Sequence, residues 1–293
     1  MEPNFSADPL GDKVKELFGL PYLFPYQRLV ISNILEAAAP AGDDQGSMGC
    51  QIVILPTGAG KSLCFQLPAM LLPGPTLVLY PILSLMADQE RRLRERGFEP
   101  VLLRGGQSGE ERAAIWEKIR SGKSRFIIAN PEVLLTPKVM GVLGSLGIAH
   151  LVIDEAHCVS EWGESFRPSY LRIGEIIAAC EAGTACEAGD TCEAGEGRAD
   201  DAAGEGRAAR RLLITAFTAT ASAPVLEKIQ SYIFGGRGAH RIIGNPDRSN
   251  ISYAAQGCVL RNLAVRDLIS RNDLPAIVFC SSRGGTEKLA RYL

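Results

Sequence analysis

The chain predicts an α/β protein whose mainly parallel sheet is flanked by helices. Short runs that are apolar almost throughout recur along it, at Gln51–Leu55, Thr76–Tyr80, Arg125–Ala129, His150–Ile153 and Leu212–Thr215. Patterns with helical spacing lie between several of them, as at Leu83–Arg96 and Glu110–Arg120. Strands apolar on both faces and alternating with helices point to βαβ units, because a parallel sheet is covered on both sides.

The elements follow in order. The first recognisable helix is Gln27–Ala39, with Leu29, Val30, Ile31, Ile34 and Leu35 near helical spacing. A loop rich in Gly, Asp and Ser occupies Ala41–Gly49, and the strand and helix patterns then alternate. Ser62–Ala87 carries no charge and is long enough to span a bilayer. Pro68, Pro73, Gly74, Pro75 and Pro81 would interrupt any single helix there, so a buried helix end, a loop and a core strand are expected instead.

Residues 180–210 have another character. Cys-Glu-Ala-Gly occurs at Cys180, Cys186 and Cys192, and Ala-Gly-Glu-Gly-Arg-Ala at Ala194 and Ala203. Almost no large apolar side chain is present, so this segment reads as a low-complexity, disordered surface insertion. The thiol spacing does not match a zinc knuckle, and no His lies nearby. Beyond Ala209 the sheet pattern resumes. A polar link around Gly244–Ser252 then leads to a helix, Leu260–Ile269, a strand, Ala276–Cys280, and the start of a further helix. The expected division is a first domain over 1–248 and the beginning of a second over 249–293. A complete second α/β domain would need on the order of 100 further residues.

Composition sets limits. With 46% hydrophobic and 22% charged residues the chain is ordinary for a soluble globular protein. A net charge of −2 gives no bulk attraction to nucleic acid, so any such surface must be local. Eight cysteines, with no basic-then-apolar leader at the N-terminus, point to free thiols and a cytoplasmic location, beside the nucleoid in a bacterium. No membrane span is expected.

Two segments carry chemistry. Leu55-Pro56-Thr57-Gly58-Ala59-Gly60-Lys61-Ser62 follows a strand and precedes a helix. Its glycines let backbone N–H groups close around phosphates, Lys61 would reach the β and γ oxygens, and Ser62 would coordinate Mg²⁺. Leu55 stands where the general pattern has Gly. The second segment begins with Asp154 and Glu155, straight after the strand His150–Ile153. Asp154 would hold Mg²⁺ through water, and Glu155 would orient and deprotonate the attacking water. Trp162, Phe166 and Arg167 follow within a dozen residues and suit bases and phosphates of nucleic acid.

Taken in order, these residues resemble the RecQ family of DNA helicases, within the helicases built from two RecA-like domains. The match runs through Leu55–Pro68, Tyr80–Gln89, Asn130-Pro131-Glu132 and Asp154–Gly163 with Phe166-Arg167-Pro168. It continues through Thr218-Ala219-Thr220, Asp247–Asn250 and Ile277–Arg283. The His157-Cys158-Val159-Ser160-Glu161-Trp162-Gly163 continuation is the narrow part, since a P-loop with an acidic pair is shared by many ATPases. The resemblance implies a RecA-like first domain and the start of a second. It implies ATP and Mg²⁺ as cofactors and DNA, single-stranded or as a forked duplex, as partner. The implied activity is ATP-dependent unwinding, 3′ to 5′, in repair or recombination.

It also implies roles. Gln27 resembles the adenine-reading glutamine. Trp162, Phe166 and Arg167 resemble the loop that senses single-stranded DNA. Thr218 and Thr220 resemble the motif linking hydrolysis to domain movement, and Ser281, Ser282 and Arg283 a phosphate-tracking element. The chain departs from the family at Phe24, where Arg is usual, at Tyr80, where Ser is usual, and at Glu164-Ser165, which replace His-Asp. The family's later motifs, its cleft arginine and its zinc-binding and winged-helix regions are not in this sequence. The expectation is therefore a chain that binds ATP and hydrolyses it poorly. The competing expectation is a truncated nucleotide- and DNA-binding module without unwinding activity. An RNA helicase is the weaker third.

Overall fold

In the computed structural model, residues 8–39, 49–160, 168–185, 212–245, 250–271 and 275–293 are described, with side chains to 182 in the third segment. The chain divides into two compact units, Met1–Pro246 and Asp247–Leu293.

Seven strands build the sheet of the first unit: β1 (Cys50–Ile54), β2 (Thr76–Leu79), β3 (Val101–Leu103), β4 (Phe126–Ala129), β5 (His150–Ile153), β6 (Leu213–Thr218) and β7 (His240–Ile243). They lie in the order β3-β4-β2-β5-β6-β1-β7 and every pairing is parallel. All strand C-termini therefore open on one edge, where α/β sheets bind ligands. The inner strands feed side chains to two apolar layers. One covers Val53, Val78, Phe126, Val152 and Phe217 with the helices Pro25–Ala38, Lys61–Leu71 and Leu83–Glu95. The other covers Ile52, Leu77, Ile127, Leu151 and Ile214 with Gly109–Arg120, Pro137–Leu143 and Ile173–Ala185. Fully burying one such aliphatic chain is worth about 1.5–3 kcal/mol, so the doubly covered strands hold the unit together.

The strands predicted in this unit are found within a few residues of their expected limits, and β6 runs on to Thr218. Gly109–Arg120 starts where Ser108 accepts from Glu111 N at 3.1 Å while its own N–H reaches the Glu111 carboxylate at 2.7 Å. Five features of this unit differ from expectation. A helix at Pro9–Phe18 precedes the first one expected. Val101–Leu103 is a strand too short to show a period, and His240–Ile243 is one whose side chains are mostly exposed. Pro68 sits inside Lys61–Leu71, which tolerates the missing N–H and does not break. Finally, the helix Ile173–Ala185 continues through the first Cys-Glu-Ala-Gly repeat, with Cys180 3% exposed in the core. The remaining repeats lie outside the described residues. No helix among the described residues is long and apolar enough to cross a membrane.

The second unit holds the helices Arg261–Ser270 and Arg283–Tyr292, with the Arg266 guanidinium over the Tyr292 ring at 5.5 Å. The strand expected at Ala276–Cys280 is not formed. Ile277 and Phe279 stand 82% and 91% exposed, and no strand among the described residues of this unit offers the ladder that extended backbone requires.

Candidate nucleotide site

The loop after β1 turns on two glycines. Gly58 and Gly60 have φ of 83° and 74°, conformations that an L side chain resists. Gly60 forms the N-terminus of Lys61–Leu71 without a side-chain cap. The first-turn N–H groups there, together with the helix dipole, form a ready anion cradle. Thr57, Gly58 and Gly60 are exposed, and Ala59, Lys61 and Ser62 are half-buried around the opening. Leu55 is fully buried and continues the strand, its N–H donating to Thr218 O at 3.1 Å. That position is thus part of the core, and it tolerates a side chain for that reason. Lys61 Nζ donates to Leu55 O at 3.1 Å and spans the two ends of the loop.

β6 separates β1 from β5, so the residues leaving these three strands share one edge. Asp154 N donates to Leu79 O at 3.0 Å, which pins the turn after β5 to β2. Glu155 follows at φ 51°, ψ 46°, the one non-glycine residue among those described with positive φ. Such a backbone costs roughly 1–2 kcal/mol and marks a turn held by its surroundings. The turn brings Glu155 Oε2 to 3.2 Å from His157 Nδ1, and the same nitrogen lies 3.1 Å from Thr218 Oγ1. Thr218 Oγ1 donates to Thr220 O at 2.9 Å, so it accepts from His157, whose Nδ1 carries the proton. A continuous polar chain therefore runs from Glu155 through His157 and buried Thr218 to Thr220.

The two carboxylates are pushed in opposite directions. Burial raises Asp154 to about 6, with the neighbouring Glu155 charge adding to the rise and Lys61 opposing it. The hydrogen bond from His157 lowers Glu155 below the usual range, again with help from Lys61. A buried acid with a lysine beside it suits a divalent cation, which would return Asp154 to its charged form. Tyr80 closes β2 beside this point. Burial raises its phenol well above the ordinary value, and the Asp154 charge adds to that. Further along the edge a cavity of about 390 Å³ is lined by Pro81, Ile82, Leu83, Ser84, Asn130 and Glu132.

Of the predicted residues, the fold brings Thr57 to Ser62, Asp154, Glu155, Thr218 and Thr220 to this edge. Gln27 is there too, 4% exposed, with its amide turned to the loop carbonyls of Ala59 and Gly60. Trp162, Phe166 and Arg167 lie outside the described residues. Ser282 and Arg283 belong to the second unit, where Ser282 caps the last helix through Gly285 N at 3.2 Å and exposed Arg283 pairs with Glu287. Sequence reasoning gave His157 no role of its own. The signal available was its place two residues after Glu155, but its partner Thr218 is visible only once β5 and β6 are paired. Tyr170, whose hydroxyl reaches Asp154 O at 3.3 Å, carried no signal at all.

Residues 24–229 match the family model described as DEAD/DEAH box helicase. The chain is 30% identical to the ATP-dependent DNA helicase RecQ of Haemophilus influenzae over 83% of its own length and 34% of that protein's. It is 39% identical to the probable ATP-dependent DNA helicase RecS of Bacillus subtilis over 57% of its length and 31% of that protein's. It thus spans about a third of the length of these relatives. Among solved structures, the DUF1998 helicase MrfA bound to DNA superimposes with a TM-score of 0.62. That comparison, at 17% identity, covers 98% of this chain and 38% of the other, and it establishes the shared RecA-like fold.

Proposed function

The chain belongs to the DEAD/DEAH box helicase family, and on that premise we propose that it is the N-terminal motor portion of a RecQ-type, ATP-dependent DNA helicase. The observation that carries this reading is the convergence of Lys61, Asp154 and Glu155 at one sheet edge, with Glu155 tied to Thr218 through His157. The donor set fits the cofactor: a helix N-terminus and an ammonium for phosphates, a hydroxyl and a carboxylate for a hard cation. Ser62 and Asp154 would hold Mg²⁺, which supplies charge neutralisation on the β and γ oxygens when bound. Lys61 and the N–H groups of Gly58 to Ser62 hold the triphosphate. Glu155, kept ionised by His157, orients a water and accepts its proton.

Through His157, a shift of Thr218 or Thr220 would move the Glu155 carboxylate, which gives the strand end a route for coupling hydrolysis to movement. Trp162, Phe166 and Arg167 are the proposed single-stranded DNA contacts. Residues 249–293 are proposed as the beginning of a second RecA-like domain, with Ser282 and Arg283 following the DNA backbone. Unwinding runs 3′ to 5′ in this reading and serves repair or recombination.

The test is nucleotide binding and DNA-stimulated ATPase of this chain beside Lys61→Ala. Loss of both in the variant supports the reading; unchanged nucleotide affinity overturns the phosphate-loop assignment. Nucleotide binding with no stimulation by DNA, and no opening of a forked duplex, would instead favour a holding module without unwinding.

A further inference from the structure

At β3 the sheet of the first unit ends, and that edge is open. Among the described residues β3 pairs only with β4, so its outer backbone groups face no strand. Such an edge is where a further chain can add itself. The Gln107 side chain already pairs with it. Its Nε2 donates to Leu102 O at 2.8 Å, and its Oε1 accepts from Arg104 N at 3.0 Å. One side-chain amide thus stands where the N–H and C=O of a residue on an added parallel strand would stand. The Leu102 N–H points to the same side as its carbonyl and extends the edge beyond Gln107.

A cavity of about 240 Å³ lies along this edge, lined by β3, Gln107 and the helices Leu83–Glu95 and Gly109–Arg120. Half-buried Leu102 and Ile115 give it apolar surface. Three cations also line it, and they are not equivalent. Arg94 is engaged, its Nε and Nη2 donating to Glu90 Oε1 at 3.2 and 2.9 Å. Arg104 and Lys118 are exposed, and their side chains pair with no carboxylate among the described residues.

Uncompensated positive charge beside apolar side chains and a free backbone edge selects one class of partner. A peptide backbone matches the donors and acceptors of the edge, aliphatic side chains match Leu102 and Ile115, and carboxylates match Arg104 and Lys118. A phosphodiester chain would match the charges alone, and the Glu90 carboxylate on the same cavity opposes it. We propose that the β3 edge docks an extended acidic segment of a partner protein, which adds as a parallel strand and displaces the Gln107 amide. None of these residues belongs to the nucleotide site, so the inference stands apart from the phosphate-loop reading.

The probe is a short fluorescent peptide of alternating valine and glutamate, blocked at both ends and titrated against the chain by anisotropy. It binds, and the complex weakens as salt rises. Arg104→Glu combined with Lys118→Glu weakens it about tenfold or more. The matching valine–lysine peptide, which the parent chain does not bind, then binds the doubly reversed variant. That rescue separates lost charge from a lost fold. Gln107→Ala, which removes the competing amide, tightens binding severalfold. A peptide methylated on its backbone nitrogens does not bind, because it cannot donate to Leu102 O. Equal binding of the methylated and unmethylated peptides would overturn strand addition, as would weaker binding in Gln107→Ala. No binding of the valine–glutamate peptide, or a reversed variant that loses only single-stranded DNA, would overturn the class of partner.

Discussion

Strand β5 opens with His150 and runs out at Asp154, and its two ends meet burial in contrasting ways. At the first end His150 is fully enclosed. Its Nε2 lies 2.9 Å from Thr215 Oγ1, which also accepts from Gln51 Nε2 at 3.3 Å. Thr76, its register partner on β2, completes a polar row across four adjacent strands, all on the face covered by Pro25–Ala38. At the other end, Asp154 and Glu155 face an opening beside Lys61 and the glycines of the loop. Burial drives both ends toward their neutral forms, His150 down to about 3 and Asp154 up to about 6. The difference is access. A neutral imidazole sealed in a core is finished chemistry, whereas a carboxylate raised by burial at an open edge is poised to be recharged by a cation.

The sharpest way to break this contrast is to neutralise the open end. Glu155→Gln keeps the size of the side chain and removes the base, so hydrolysis should fall about 10²–10⁴-fold while nucleotide affinity holds. Steady-state ATPase beside calorimetric titration checks both halves. Hydrolysis within threefold of the parent would remove Glu155 from the reaction.

At the sealed end the expected effect is on stability and has a definite sign. Because His150 titrates lower in the folded chain than its ordinary value of 6.5, the unfolded chain binds a proton that the folded chain refuses. Stability is therefore complete above that value and is lost as pH falls through it toward about 3. The loss at about pH 5 is about 2 kcal/mol. Urea denaturation at about pH 7.5 and about pH 5 measures it. His150→Gln, which carries no titrating group, should show a drop smaller by that amount. Equal drops in the two proteins would mean that His150 is solvated in the folded state.

How much of this contrast was legible beforehand differs between the ends. The strand–loop–helix around Lys61 and the acidic pair after β5 were readable because each pattern is written in contiguous residues. The apolar runs of β1, β2, β4, β5 and β6 were readable for the same reason. What joins them was not. His157 meets Thr218, and Gln51 meets Thr215, only through a strand order that places β6 between β5 and β1, and no local pattern encodes order. β3 and β7 escaped because three residues show no period and an exposed edge strand need not be apolar. The apolar run Ala276–Cys280 misled in the opposite sense: composition favours extension, but extended backbone needs a partner to become a strand.

The backbone at Glu155 offers a smaller test of the open end. Glu155→Gly removes the positive-φ penalty and should raise unfolding free energy by about 1 kcal/mol while abolishing hydrolysis. Denaturation and ATPase assays on the same preparation would reveal that trade. A less stable variant would show that contacts of the Glu155 side chain, chiefly with His157, outweigh the strain.

The smallest effect concerns the sealed row itself. Thr76 is fully buried and its Oγ1 has no hydrogen-bond partner, and the same holds for the buried atoms His150 Nδ1 and Gln51 Oε1. Thr76→Val is nearly isosteric and deletes one lone hydroxyl, so stability should be unchanged or rise by up to about 1 kcal/mol. A fall of that size would carry a different message. It would mean that Oγ1 is satisfied by an internal water reaching the neighbouring His150 Nδ1, which a sealed polar row of this kind is suited to hold. The sealed end would then be hydrated like the open one, and the contrast between them would rest on exchange with solvent rather than on the presence of water.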